Sequence, residues 1–202
     1  MQRSTLNDVT CPIARALNRV GEWWSTLILR DTLNGFSRFD EIQKSLGIAP
    51  NMLTRRLNDL VAEELLERRQ YCEKPPRFEY IPTERGRDFM PVIVALLAWG
   101  NKHFTPEGEN LLLVDRETGK AINPILVDAN SGKPITPSNH TLSAGPAACE
   151  EMQKRIAFIT AKREDPSLRP TFLFETPLDR TTLAKTTAAS NPARQSPHAV
   201  EK

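Results

Sequence analysis

Gly21, Gly35 and Gly47 divide the stretch from Cys11 to Glu64 into four segments, each repeating apolar residues at three- and four-residue spacing. Such spacing lines the apolar side chains along one helix face, and a glycine just past the last of them ends the helix. Four short helices joined by tight turns are therefore predicted. The first opens at Cys11-Pro12, where a proline removes a backbone donor that would have been unpaired anyway, and aligns Ile13, Ala14, Leu17 and Val20. The second, residues 22–33, turns Trp23, Leu27, Ile28 and Leu33 inward and closes at Asn34-Gly35. The third, residues 37–47, takes Ser37 as N-cap and directs Phe39, Ile42 and Leu46 to a core. After Ile48-Ala49-Pro50, the fourth runs from about Asn51 to Glu64.

The fourth helix raises the functional question. Leu53, Leu57, Leu60 and Val61 make its buried stripe. At about 100° per residue, Asn51, Arg55, Asn58 and Ala62 project from the opposite side, with Thr54 and Arg56 on the flanks. A polar face like this ordinarily just meets solvent. Here it ends a three-helix array whose short turn carries a glycine, the helix-turn-helix order in which the last helix enters a DNA groove. In that setting Arg55 suits a guanine edge, Asn51 or Asn58 an adenine, and Thr54 a thymine methyl or a phosphate. Arg56, nearer the core edge, suits a phosphate or a carboxylate of the same chain.

Residues 65–83 alternate β-formers on both sides of Glu73-Lys74-Pro75-Pro76, which predicts two strands joined by a stiff turn. This is a wing, bearing Arg68, Arg69, Lys74 and Arg77. Lys74 and Arg77 would lie over an adjacent groove or backbone, where counterion release gives affinity without sequence information. Arg68 and Arg69 stand near Glu63, Glu64 and Glu67 in the chain, so surface ion pairing is an equal use for them. Residues 84–104 predict a helix, kinked at Pro91 and apolar around most of its circumference. One small domain cannot cover such a helix. A second copy can, with Val92, Leu96, Trp99 and Phe104 as dimerisation residues.

The segment from Cys11 to His103 resembles the HxlR-type winged helix-turn-helix transcriptional regulators. The matching stretches are CPIARAL, VGEWWSTLILRD, RFDEIQKSLGIAPNMLTRRLNDL, PPRFEYIPTERG and LLAWGNKHF, in the family's order and spacing. The resemblance implies homodimeric bacterial DNA-binding proteins that repress or activate nearby genes. Two positions depart from the family pattern. Glu64 replaces a glycine near the end of the recognition helix, which would lengthen that helix, and Pro82 replaces a leucine, which would shift a strand end. Several members also sense reactive species through an N-terminal cysteine. Cys11 stands at a helix N-terminus, where unpaired amides favour a thiolate, and a small buried apolar residue or an unreactive thiol is the competing reading. An oxidant or small-molecule effector is thus an expected partner beside double-stranded DNA and a second copy.

Composition narrows the alternatives. A net charge of +2 does not by itself announce nucleic acid, so the case rests on local arrangement. Cys11, Cys72 and Cys149, and the histidines at 103, 140 and 198, are too scattered to assemble a metal site, and no cofactor is expected. No phosphate-binding glycine loop or nucleophile-base pair is recognisable, so enzymatic activity is not expected. Trp23, Trp24 and Trp99 fall in apolar helical patterns and read as packing residues rather than a ligand cage. The first 20 residues lack the apolar core of a secretory signal, and no run of about 18 apolar residues occurs. A cytoplasmic location with no membrane partner is expected.

Beyond residue 104 the pattern changes. LVDRETGKAINP (113–124) and LVDANSGKPITP (126–137) repeat at an offset of 13 residues. Each copy predicts a short β-hairpin in which Asp115 or Asp128 bonds to turn amides, preferred over calcium binding because each loop offers few carboxylates. Residues 145–165 predict an amphipathic helix with Met152, Ile156 and Ile159 on one stripe, and 166–202 a mostly disordered tail. The expected architecture is α+β. A winged helix-turn-helix domain with a long C-terminal dimerisation helix (1–104) precedes a small extension of two hairpins and a helix (105–165). The competing functional reading is a protein-interaction module whose duplicated hairpins are the working surface.

Overall fold

A computed structural model of the chain describes residues 11–165 and residue 167. Four helices come first, α1 (Pro12–Val20), α2 (Trp23–Leu33), α3 (Phe39–Leu46) and α4 (Pro50–Ala62). Strands β1 (Leu66–Glu73) and β2 (Pro76–Pro82) pair antiparallel, followed by α5 (Glu84–Arg87), α6 (Met90–Phe104) and α7 (Glu150–Glu164). The α+β winged helix-turn-helix expected from sequence is the fold observed. The chain divides into two compact units between Ile125 and Leu126.

The core of the first unit is built from Ile28 and Leu29 of α2, Ile42 of α3, Leu53, Leu57 and Leu60 of α4, and Leu66 and Tyr80 at the wing base. Each leucine so buried contributes about 1.5–3 kcal/mol of transfer free energy. The stripe on α4 is as the spacing predicts. On α2 it is not: Ile28 and Leu29 are buried together with Ser25, Asp31 and Thr32, while Trp23 is 63% exposed and stacks on Trp24. The reason is that α2 is central, packing against α1, α3, α4, α6 and β2, so no single stripe describes what it buries. Of its buried polar atoms, Thr32 Oγ1 donates to Leu29 O at 3.1 Å and Asp31 Oδ1 pairs with Arg30 at 2.7 Å, whereas Asp31 Oδ2 is buried without a hydrogen-bond partner among the described residues.

Several helix ends differ from expectation. At α3 the N-cap position is Arg38, not Ser37, and the orphan amides of Ser37 and Arg38 both donate to Glu41 Oε2, at 3.1 and 3.0 Å. The backbone amide of Arg38, then that of Ser37, hold the Glu41 carboxyl below its ordinary range. A lowered folded-state pKa means that the carboxylate adds stability above its unfolded value of 4.5, and that this is lost as pH falls through the lower folded value. Urea midpoints of the parent should therefore exceed those of Glu41→Gln at neutral pH and converge with them at strongly acidic pH.

The recognition helix is not lengthened by Glu64. It stops at Ala62, and Glu64 takes the left-handed conformation (φ 56°) itself. The amide of Glu64 donates to Val61 O at 3.0 Å and that of Leu65 to Leu60 O at 2.9 Å, the bonding pattern of a Schellman end. A side chain there costs about 1 kcal/mol relative to glycine. The turn is held by Thr83 Oγ1, which donates to Glu64 O at 2.6 Å, and by Arg85, 3.1 Å from the Glu64 carboxylate. Gly86 completes the joint, since a Cβ there would lie 2.1 Å from Leu65 O. β2 ends at Pro82, and the wing is intact.

The single helix predicted over 84–104 is two helices. The four-residue α5 is capped by Thr83, and Pro91 lies in the first turn of α6 rather than kinking an interior. That is the position where a proline's fixed φ and missing donor cost nothing.

The duplicated segments are loops more than hairpins, each closed by one bridge, Val114 to Ala121 and Val127 to Pro134. Their bonding coincides. Asp115 N donates to Lys120 O and Gly119 N to Asp115 O, both at 2.9 Å; Asp128 N donates to Lys133 O at 2.9 Å and Gly132 N to Asp128 O at 2.8 Å. Gly119 and Gly132 both have positive φ (65° and 68°). The Asp115 carboxylate accepts from Glu117 N, Thr118 N and Thr118 Oγ1, and Asp128 accepts from Asn130 N, Ser131 N and Ser131 Oγ. These bonds lower both pKa values, through Thr118 N foremost at Asp115 and the Ser131 hydroxyl foremost at Asp128. α7 begins at Glu150, five residues later than predicted, with Met152, Ile156 and Ile159 half-buried. Apart from residue 167, the tail expected to be disordered lies outside the described residues.

Candidate nucleic-acid interface

The leucine side of α4 fixes what its other side can do. Leu53, Leu57 and Leu60 are fully covered, so Asn51, Thr54, Arg55 and Asn58 are exposed. Thr54 Oγ1 donates back to Pro50 O at 2.9 Å, so its one hydroxyl proton is used within the helix. Asn51, Arg55 and Asn58 have no hydrogen-bond or ion-pair partner among the described residues. Five guanidinium donors and two carboxamides thus face outward with their bonding capacity unspent, on a helix narrow enough for a major groove.

Arg56 is placed differently. Its side chain is 11% exposed, with Nη1 3.0 Å from Asp59 Oδ2 and Nη2 3.7 Å from Glu22 Oε2. Of its two sequence-derived uses, the intramolecular carboxylate is occupied. Glu22 gave no sign of this in the sequence, because it lies 34 positions away and is met only once α2 packs on α4.

On the wing, Lys74 and Arg77 flank the turn, exposed and with side chains that have no hydrogen-bond or ion-pair partner among the described residues. Arg68 and Arg69 do not pair with Glu63, Glu64 or Glu67. Strand alternation separates them: Arg69 crosses to Glu79 at 2.8 Å, and Arg68 lies 3.6 Å over the Phe78 ring. Glu63 and Glu64 are taken instead by Arg19 and Arg85. Sequence reasoning also passed over Arg38. A bulge in β1 between Gln70 and Cys72 turns Tyr71 out, and the Arg38 guanidinium sits 4.7 Å over its ring, joining the start of α3 to the wing.

The remaining candidates lie elsewhere. Val92, Leu96, Trp99 and Phe104 on α6 are exposed, as are Ile13 and Leu17 on α1. α6 buries none of its residues fully. Cys11 is the N-cap residue of α1 and half-buried; Cys72 and Cys149 are half-buried thiols as well. No group of three or more His, Cys, Asp or Glu that could hold a metal occurs among the described residues, and no helix there is long and apolar enough to cross a membrane.

A family profile for HxlR-like helix-turn-helix proteins matches residues 19–108. The uncharacterized HTH-type transcriptional regulator Rv3095 of Mycobacterium tuberculosis is 39% identical over 135 residues, covering 66% of this chain and 85% of that protein. The HTH-type regulator YdeP of Bacillus subtilis is 35% identical over 94 residues, 46% of this chain and 73% of its own length. Among solved structures, the candidate transcription factor PA1374 of Pseudomonas aeruginosa is 51% identical with a TM-score of 0.54, across 72% of this chain and 99% of that one. PA1607, a second candidate transcription factor, is 33% identical with a TM-score of 0.63, across 70% and 100%. A match of 135 residues cannot fit inside the first 108, so part of the extension is shared with Rv3095. With the wing, the leucine-backed polar helix and these relatives in agreement, the chain belongs to the HxlR-like helix-turn-helix family and is a DNA-binding transcriptional regulator.

Proposed function

We propose that the chain acts as a homodimer on a two-fold operator, with one α4 in each of two successive major grooves. Arg55 reads a guanine, Asn51 and Asn58 read adenines, Thr54 meets a thymine methyl or, by turning its hydroxyl from Pro50 O, a phosphate, and Lys74 and Arg77 neutralise backbone beside the groove. The observation that carries this reading is the unspent donor and acceptor set of Asn51, Arg55 and Asn58 on a face that the core leaves open. The second copy is supported by α6, where Trp99 is 56% and Phe104 62% exposed beside Val92 and Leu96. A standard interface takes about 800 Å² per partner, and aromatic residues dominate such surfaces. An oxidant or small-molecule effector belongs to the same reading, with Cys11 at the start of α1 as its proposed point of action.

Selection of duplexes from a random pool by the full chain tests the proposal, and an inverted repeat with half-sites about one helical turn apart is expected. Leu96→Asp places a charge on the exposed side of α6 and should shift the sedimenting species from dimer to monomer. Operator affinity should fall by about a hundredfold as bivalency is lost. A Leu96→Asp protein that sediments like the parent would remove α6 from the interface.

A further inference from the structure

α1 and α2 meet at Gly21, where the backbone is so close that a Cβ would lie 2.3 Å from Leu17 O. Both sides of this elbow are tied to the recognition helix. On the α1 side, Arg19 Nε lies 2.8 Å from Glu63 Oε2, and Glu63 is the C-cap of α4. On the α2 side, Glu22 is the N-cap residue and its Oε2 lies 3.7 Å from Arg56 Nη2. Arg56 Nη1 is held at 3.0 Å by Asp59 one turn along α4. The guanidinium is thus gripped between its own helix and the elbow, and its Nε is buried without a hydrogen-bond partner among the described residues. Arg55, its neighbour in the chain, is exposed.

We propose that Arg56 is a positioning residue: with Glu22 and Asp59 it fixes the roll of α4 about its own axis, and so the direction in which Asn51, Arg55 and Asn58 point. The leucine stripe sets which side of α4 faces outward, but apolar burial is non-directional and leaves the finer roll to directional contacts. The directional contact between the helices is the Arg56 guanidinium, held on one side by Asp59 of its own helix at 3.0 Å and facing Glu22 at the start of α2 at 3.7 Å on the other. Bidentate contact with a base edge is sensitive to roll, since it needs the Arg55 plane aligned with the base plane. Arg56 therefore affects sequence reading without touching DNA. The inference rests on the DNA-reading role of α4 stated above.

The sign of one substitution separates this from an electrostatic role. If Glu22 acted only through its charge, Glu22→Gln would remove a negative group near DNA and tighten binding. If it anchors Arg56, the same change loosens specific binding. The full chain, Glu22→Gln, Arg56→Met and Arg56→Lys are titrated over a salt series against the duplex selected from the random pool and against a scrambled duplex. Glu22→Gln and Arg56→Met should each lose about tenfold in affinity for the selected duplex, within the range of indirect couplings. Affinity for the scrambled duplex and the salt slope should stay at parent values, and Arg56→Lys, with charge but no fork, should fall between. Amide exchange across Leu53 to Asn58 should quicken in Glu22→Gln without DNA present.

Glu22→Gln binding the selected duplex as tightly as the parent, or more tightly, overturns the proposal. So does a salt slope lowered by about 0.9 in Arg56→Met, the mark of a lost phosphate contact. In both cases the parent stays specific and the DNA-reading role of α4 stands. A parent that prefers no duplex removes that role and this inference together. If Glu22→Gln does not fold, the ordering of Arg56→Lys between parent and Arg56→Met decides.

Discussion

Leu57→Ala should lower the stability of the DNA-binding unit by about 3 kcal/mol, or roughly 10–20 °C in melting temperature. Leu57 has no exposed surface and stands midway along the stripe by which α4 packs on α2 and α3. Removing its three outer carbons forfeits their transfer free energy and leaves a hole in a cluster of buried side chains that fills only partly by relaxation. A domain of this size has about 5–15 kcal/mol in all, so the loss is a large fraction of it. Asn58→Ala, one residue on and exposed, should change stability by no more than about 0.5 kcal/mol. Thermal melts of the pair check this, and equal melting temperatures would mean that Leu57 is not part of a tightly packed core.

Arg55→Ala should leave the melting temperature unchanged and cost about 1–3 kcal/mol of operator affinity, ten- to roughly a hundredfold. The side chain is exposed and makes no hydrogen bond or ion pair among the described residues that truncation could break. Its loss should therefore register only when DNA is present, and mainly as relaxed preference at one base pair. Lys74→Ala offers the contrast, since a phosphate contact weakens binding uniformly and reduces the salt slope by about 0.9. Binding curves on the selected duplex and on single-base variants of it distinguish the two. Parent-like affinity and preference in Arg55→Ala would take Arg55 out of base recognition.

What the sequence disclosed follows from how local each signal is. The α4 stripe, the glycine at the end of α3 and the strand-turn-strand of the wing depend on neighbours within a few positions, and they read correctly. The polar face of α4 was legible for the same reason. α2 was misread because five other elements cover it, and a single-face pattern cannot express that. The Ser37 cap failed because Glu41, four residues on, already satisfies the Ser37 and Arg38 amides. The ends of α4 and α6 turned on backbone geometry, a left-handed Glu64 and a proline in a first turn, which composition does not reveal. Glu22 with Arg56, and Arg38 with Tyr71, are pairs that only packing creates, and no spacing rule reaches them.

The turns at Asp115 and Asp128 close by bonds of their own, each carboxylate bonding within three residues and each glycine turning the backbone at nearly the same φ. Such a unit carries its own instructions for folding. Copying one inserts a finished piece and obliges no neighbour to repack. A further copy of either turn would bring its own bonds and leave the buried leucines of α4 as they are.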